Sequence, residues 1–388
     1  MTEISNYELH TRESWQSLTE LLKIGNPLFA KTWFLFGYDF SSNIYLIEGD
    51  YLSIIDPGND YTAFMQLLEK GFKLTDIKKI ALTHGHHDHV MGTIELFRGY
   101  PGYHISEVEI ILHEAGPREF KEIVKHCGCR LREVRGGERI NLSGLELEAI
   151  HTPGHTLDGL CYYHEPTQTA FTGDTVLPQS MAEADKAAGG RMDHYLYSLR
   201  VLRKKAIRHV LPGHGGVAPL IGGQVVDETY EGLIKKLIGL ETPLMTGAMT
   251  LAQQGLLEEA LFYVEKALAA DSENQPAREM QAFLFLDLAR NDKALRIFEQ
   301  ILQQDPRHFH ALLGKGRSLL GMGSAPASLE YFNRALEIRP EDPEALMNKG
   351  LALYLSGCHD EAMDIAVFQE EFARKVSQEV VGKPVASP

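Results

Sequence analysis

The chain has 388 residues, 44% hydrophobic and 23% charged, enough apolar material for more than one packed core. Its formal net charge is −15, and its densest basic group is only Arg203, Lys204 and Lys205, which argues against a nucleic-acid partner. No 18-residue apolar stretch reads as a transmembrane helix, and the opening MTEISNYELHTRESWQSL lacks a basic start followed by an apolar run. No membrane association, a cytoplasmic location and four reduced cysteines are therefore expected.

The first half alternates short β-rich runs with amphipathic stretches. NIYLIEGDYLSIIDPG (43–58) reads as a hairpin joined across Gly49-Asp50. Residues 60–71 read as a helix with Phe64, Leu67 and Leu68 on one side. KKIALTH (78–84) is a buried strand that runs into THGHHDH (83–89). Further strands are EIILHE (109–114), LELEAIHT (145–152), LCYYHE (160–165), TAFTGD (169–174) and RHVLPGH (208–214). Several end in a His or Asp, and ligands at strand ends on one rim of a sheet can converge. Cys127-Gly-Cys129 is neither CxxC nor followed by a second pair, so it reads as two ordinary thiols.

A helix near 227–240 leads to Thr242-Pro243, the expected boundary between domains 1–242 and 243–388. Beyond it the chain turns to Ala/Leu/Glu helices with a period of 34 over about 245–375. Small residues recur at Ala248, Ala282, Gly316 and Gly350, and again at Ala260, Ala294, Ser328 and Ala362. A third column is Val264, Phe298, Phe332 and Ala366; a fourth is Ala267, Ile301, Ala335 and Gln369. Small residues let paired helices approach, and the larger one fills the gap. The pattern resembles the tetratricopeptide repeat, here four copies in an all-α solenoid. That resemblance implies a protein partner or self-association (a homo-oligomer).

The histidine cluster carries the chemistry. In an extended loop residues i and i+2 point the same way, so His84 and His86 can bind one metal. Asp88 and His89, after the turn, can reach a second. The chain then supplies, in order, His155 in HTPGHT, Asp174 in FTGD and His214 in LPGHG. Five imidazoles and two carboxylates suffice for two metals with open positions, and suit zinc, iron or manganese.

THGHHDH…HTPGHT…TGD…PGHG resembles the metallo-β-lactamase superfamily over about residues 20–240. The resemblance implies an α/β fold, an αββα sandwich with metals at one edge. It implies two Zn2+ per chain, with Fe or Mn as substitutes. His84, His86 and His155 would hold metal 1, Asp88, His89 and His214 metal 2, and Asp174 would bridge. Asp56 in IIDPG would be structural or would support a ligand, without being one itself. A metal-bridging hydroxide would attack the carbonyl of a small ester, thioester or lactone, with Asp88 and Asp174 in the catalytic roles. Ligand identities are similar to glyoxalase II (hydroxyacylglutathione hydrolase) and lactonases. Two alternatives are a mononuclear iron persulfide dioxygenase-like enzyme and an interaction protein whose metal domain is secondary.

The remaining polar residues are weighed individually. His87 between the ligands reads as a bystander, His151 as structural, and His113 as a satisfied strand-end histidine. Arg191, His194 and Tyr195 follow the bridging aspartate and are substrate-contact candidates, with Asp193 a competing helix cap. The Gly-Arg-Phe-Phe type motif of glyoxalase II is absent, which puts glutathione specificity in doubt.

Overall fold

The computed structural model describes residues 14–37, 40–100 and 105–381. The chain forms two compact units, Met1–Ile234 and Lys235–Pro388.

The first unit contains two sheets. The seven-stranded sheet runs in chain order: β1 (Gln16–Ser17), β2 (Thr32–Leu35), β3 (Ile44–Glu48), β4 (Leu52–Ile55), β5 (Ile77–Ala81), β6 (Glu109–His113) and β7 (Arg130–Val134). β1 to β4 pair antiparallel and β4 to β7 parallel. The second sheet has β8 (Arg139–Leu142), β9 (Leu145–His151), β10 (Leu160–His164), β11 (Thr169–Gly173) and β12 (His209–Pro212), in the spatial order β12-β11-β10-β9-β8.

Period-2 alternation distributes β3 between two cores. Tyr45 and Ile47 pack with Ile55, Ala81 and Ile111 against Leu147, Ala149, Leu160, Tyr162 and Phe171 of the second sheet. Leu46 turns the other way, with Ile54, Ile80 and Ile110, onto helices. Those helices are α2 (Thr62–Glu69), α3 (His87–Gly99) and α4 (Arg118–His126), which follow the short α1 (Leu18–Leu22). The middle of this sheet is buried on both faces, which is why β3, β4 and β6 are mostly apolar, whereas β5 carries the partly exposed Lys78 and Lys79. On the other side α5 (Met192–Arg203) and α6 (Gly222–Ile238) bury Leu196, Leu199, Val226 and Leu233. The layers are α/β/β/α.

Each strand expected from the sequence is present, and the 43–58 hairpin pairs Glu48 with Leu52 across the expected turn. β1, β2, β7 and β8 are not among the strands read from the sequence: the buried pattern of β7 is weak, with Arg130 and Glu133 exposed. Asp193 does not cap α5. Arg191 occupies the N-cap, and Asp193 lies in the first turn, paired with Arg191 at 2.8 Å.

In the second unit four helix pairs follow: α7/α8 (Leu244–Gln253, Leu257–Ala270), α9/α10 (Gln275–Asp287, Asn291–Gln304), α11/α12 (Phe309–Gly321, Ala325–Ile338) and α13/α14 (Pro343–Leu355, His359–Met363). The small columns are buried: Ala248, Ala282, Ala260, Ala294, Ser328 and Ala362 are all fully inaccessible. A Cβ on Gly316 would meet the Phe332 ring at 2.5 Å, so glycine is what admits the aromatic. The fourth pair departs from the column pattern. Its second helix breaks at Asp364-Ile365 and restarts as α15 (Ala366–Val381). Phe368, not Ala366, then packs on Gly350.

Candidate metal centre

All seven residues singled out in the sequence meet at the carboxyl ends of β5, β9, β11 and β12. Leu82 and Thr83 lead from β5 to His84; His155 follows β9, Asp174 directly follows β11 and His214 follows β12. The geometry of THGHHDH differs from an extended loop in one respect. His86 is the N-cap of α3, and Asp88 and His89 lie in its first turn. The helix keeps the His89 ring against His84, 4.0 Å between centroids, while Asp88 groups with His89 and His214 instead of with His84 or His86.

Three overlapping groups result: His84/His86/His155, His84/His89/Asp174 and Asp88/His89/His214, each with one donor atom per residue within 4.8 Å of the others. His84 Nε2 lies 3.0 Å from His86 Nδ1, and His155 Nε2 lies 3.1 Å from the same atom. His89 Nε2 lies 3.3 Å from His214 Nε2, and His214 Nε2 lies 2.9 Å from Asp88 Oδ2.

The outward ring nitrogens decide what the inward ones carry. Thr83 Oγ1 donates to Asp56 Oδ2 at 2.6 Å, so it accepts from His84 Nδ1 at 3.1 Å. His89 Nδ1 donates to Asp56 Oδ2 at 2.8 Å, and His155 Nδ1 to the Glu183 carbonyl at 2.6 Å. His86 Nε2 faces Asp185 Oδ2 at 3.0 Å. In the neutral rings, the nitrogens that point at one another therefore carry lone pairs. The lone pairs of His84 and His155, each about 3 Å from that of His86, repel it unless a cation sits among them. Asp174 Oδ1 is also buried with no hydrogen bond of acceptable geometry, His89 Nε2 being 3.4 Å away. This donor set fits a metal.

The electrostatics agree. Burial, with His89 and His86 nearby, pushes the His84 ring well below the usual imidazole range and keeps it neutral. Burial would lower His89 too, but the Asp56 and Asp174 carboxylates raise it well above normal. They call for positive charge at its inner nitrogen, a proton or a metal. Burial works against Asp174, yet His89 holds its carboxyl far below the normal range.

Asp56 organises the back of the site. It adopts φ +51°, a left-handed conformation that Asp tolerates better than most residues. Its carboxylate accepts from Thr83 N, Thr83 Oγ1 and His89 Nδ1. Gly213 makes room at the front: a Cβ there would meet Asp174 Oδ1 at 2.3 Å and His89 Cε1 at 2.7 Å.

The other candidates are placed differently. Tyr195 is 1% exposed, its hydroxyl 3.0 and 2.9 Å from the Asp174 and Thr175 carbonyls, so it buttresses the end of β11 and has no face for a substrate. Arg191 is exposed and forked onto Asp193. His194 has a buried Nδ1 without a partner. His87 is exposed and lies in none of the three groups. His113 is partly satisfied: Nδ1 accepts from Ala115 N, buried Nε2 makes no bond of acceptable geometry, and its ring stacks on His151 at 3.9 Å. Two features escaped sequence reading. One is Asp185, which no motif marks. The other is an open cavity of about 680 Å³ beside Asp88 and His214, walled by Phe40, Asn59, His87 and Met91. Phe40 is 94% exposed at φ +65°, strained for an aromatic residue.

Comparison with known proteins agrees with this geometry. Residues 37–214 match the metallo-beta-lactamase superfamily, and residues 279–343 and 313–370 match the tetratricopeptide repeat. The chain thus carries a metallo-β-lactamase domain at its N-terminal end and tetratricopeptide repeats toward its C-terminus. Relatives include an atrochrysone carboxyl ACP thioesterase of Paecilomyces divaricatus, 27% identical over 190 residues, covering 48% of this chain and 54% of that protein. Another is a lactamase-like protein of Pestalotiopsis fici, 26% identical over 191 residues, with the same coverage of 48% and 54%. The chain spans about half the length of the curated relatives it matches. Among solved structures, a metallo-beta-lactamase family protein from Thermus thermophilus aligns with a TM-score of 0.43 at 21% identity, over 57% of this chain and 87% of that one.

Proposed function

We propose that this chain hydrolyses a small ester, thioester or lactone at a centre of two divalent cations. The observation that carries the reading is the convergence of five imidazoles and two carboxylates in three overlapping groups at one sheet edge. His84, His86 and His155 would hold one cation, Asp88, His89 and His214 the other, and Asp174 would bridge them. Zinc suits these donors, and iron or manganese could take its place. When bound, the cations would supply a water acidic enough to be a nucleophile near neutral pH.

The chain's own groups do the rest. Asp88, 2.9 Å from His214 Nε2 and beside the cavity, would orient that water, take its proton and hand it to the leaving group. Burial opposes ionisation of Asp88, but its bond to His214 keeps the carboxyl below the usual range in the metal-free chain, which leaves it ionised and able to take a cation. Phe40 and Met91 offer an apolar wall for the acyl part of a substrate, with His87 and Asn59 as polar contacts. Thioesters are the first class to test, because relatives are named as ACP thioesterases; glyoxalase II-like and lactonase-like reactions share the chemistry. The repeats in domain 243–388 would recruit a protein partner or a second copy of the chain.

The test is metal analysis followed by a panel of thioesters, lactones and phosphodiesters. Two cations per chain and a thioesterase or lactonase activity lost in Asp174→Ala are expected. One iron per chain with sulfur-dependent oxygen uptake would replace this reading with that of a persulfide dioxygenase.

A further inference from the structure

Asp185 lies outside all three groups, in the segment between β11 and α5. Its Oδ2 faces His86 Nε2 at 3.0 Å. A carboxylate at this distance only accepts, so Nε2 holds the proton and the lone pair stays on Nδ1, the atom turned toward His84 and His155. The same segment grips a second ring: the Glu183 carbonyl accepts from His155 Nδ1, and Asp185 N donates to the His155 carbonyl at 2.8 Å. The segment is itself fixed. Ala187 N and Ala188 N donate to Asp185 Oδ1 at 2.8 and 3.4 Å, and Gly190 N donates to the Asp185 carbonyl at 2.6 Å. A Cβ on Gly190 would meet the His155 carbonyl at 2.2 Å, so the segment closes on His155 only because glycine stands there.

We propose that Asp185 is a positioning residue for the cation held by His84, His86 and His155: it fixes the His86 ring in the form that presents Nδ1, from a segment that also fixes His155. The proposal rests on the metal-centre reading above. Asp56 does the corresponding work for His89 from the other side of the site, at the end of β4. Asp56 also reaches His84 through Thr83, whereas the Asp185 carboxylate touches only His86 among the ligands, so it is the His86 contact that can be weakened alone. Carboxylates of this kind, hydrogen-bonded to a ligating histidine, typically contribute about 10- to 100-fold in metal affinity.

The test uses the full chain and Asp185→Asn. Asparagine can still accept from Ala187 N and Ala188 N, but it offers His86 Nε2 no carboxylate. Metal-free proteins are titrated with Co2+ and followed by visible absorption, with Zn2+ affinities measured by chelator competition. The parent is expected to bind two equivalents. Asp185→Asn should weaken one of them about 10- to 100-fold, leave the other unchanged, and melt with the parent when metal-free. In a His86→Ala background the same substitution should add no further loss, which a general structural role would not predict. Unchanged affinities in Asp185→Asn, or an equal loss in the His86→Ala background, would overturn the proposal alone. A parent chain that binds no Co2+ or Zn2+ would overturn the metal-centre reading, and this proposal with it.

Discussion

Asp174 and Gly213 define how tightly the centre is built at the level of single residues. The carboxylate of Asp174 occupies the space a Cβ on Gly213 would need, with 2.3 Å separating the two positions. Gly213→Ala is expected to displace the carboxylate or His89 and to cost at least about 10-fold in metal affinity, read by the same cobalt titration. His87→Ala, in contrast, should keep the full metal stoichiometry, because His87 belongs to none of the groups; metal analysis of the purified variant checks it. A loss of metal there would mean that the ligand set is wrong. His113 offers a separate pH test. Burial, then the stacked His151, lower its ring to about 4. The unfolded chain therefore takes up this proton first, near 6.5, so stability is held above that pH and lost as pH falls from 6.5 toward 4. His113→Gln should remove on the order of 1–3 kcal/mol of that acid sensitivity, measured by denaturant melts at pH 7 and pH 4.5.

At the scale of elements, the repeats show how a period becomes a structure. Asn274, His308 and Asp342 stand 34 residues apart and each caps a helix, accepting from Ala277 N, Ala311 N and Ala345 N at 3.0, 3.2 and 2.9 Å. This fifth column was legible in the sequence but hidden by its chemistry, since three different side chains do one job. Asp342→Ala should cost about 1 kcal/mol. Phe332→Ala, which empties the space over Gly316, should cost about 3–5 kcal/mol. Chemical denaturation of the full chain compares the two, and equal losses would contradict the packing described. The same scale explains two departures from expectation. Helix α3 begins inside the histidine motif, with His86 as its extended N-cap residue. The break at Asp364-Ile365 moves the packing contact from Ala366 to Phe368, a shift that a strict period cannot foresee.

For the whole molecule, bound metal should act as a fastener, since seven donors from separate elements would share it. Chelation is expected to lower the melting temperature of the first unit by roughly 10 °C, seen by calorimetry and reversed by Zn2+. No helix among the described residues is long and apolar enough to cross a membrane. The seven candidate ligands, their order, and the repeat period are legible in the sequence alone. Ligand motifs are short and local, and a 34-residue repeat recurs without insertion, so both survive reading one residue at a time. What only the tertiary structure decided is what surrounds them. Asp185 meets His86 across 99 positions, Asp56 meets His89 across 33, and Phe40 joins the same cavity as His214. No local pattern encodes such meetings, because they depend on how two sheets, packed face to face, bring their strand ends to one rim.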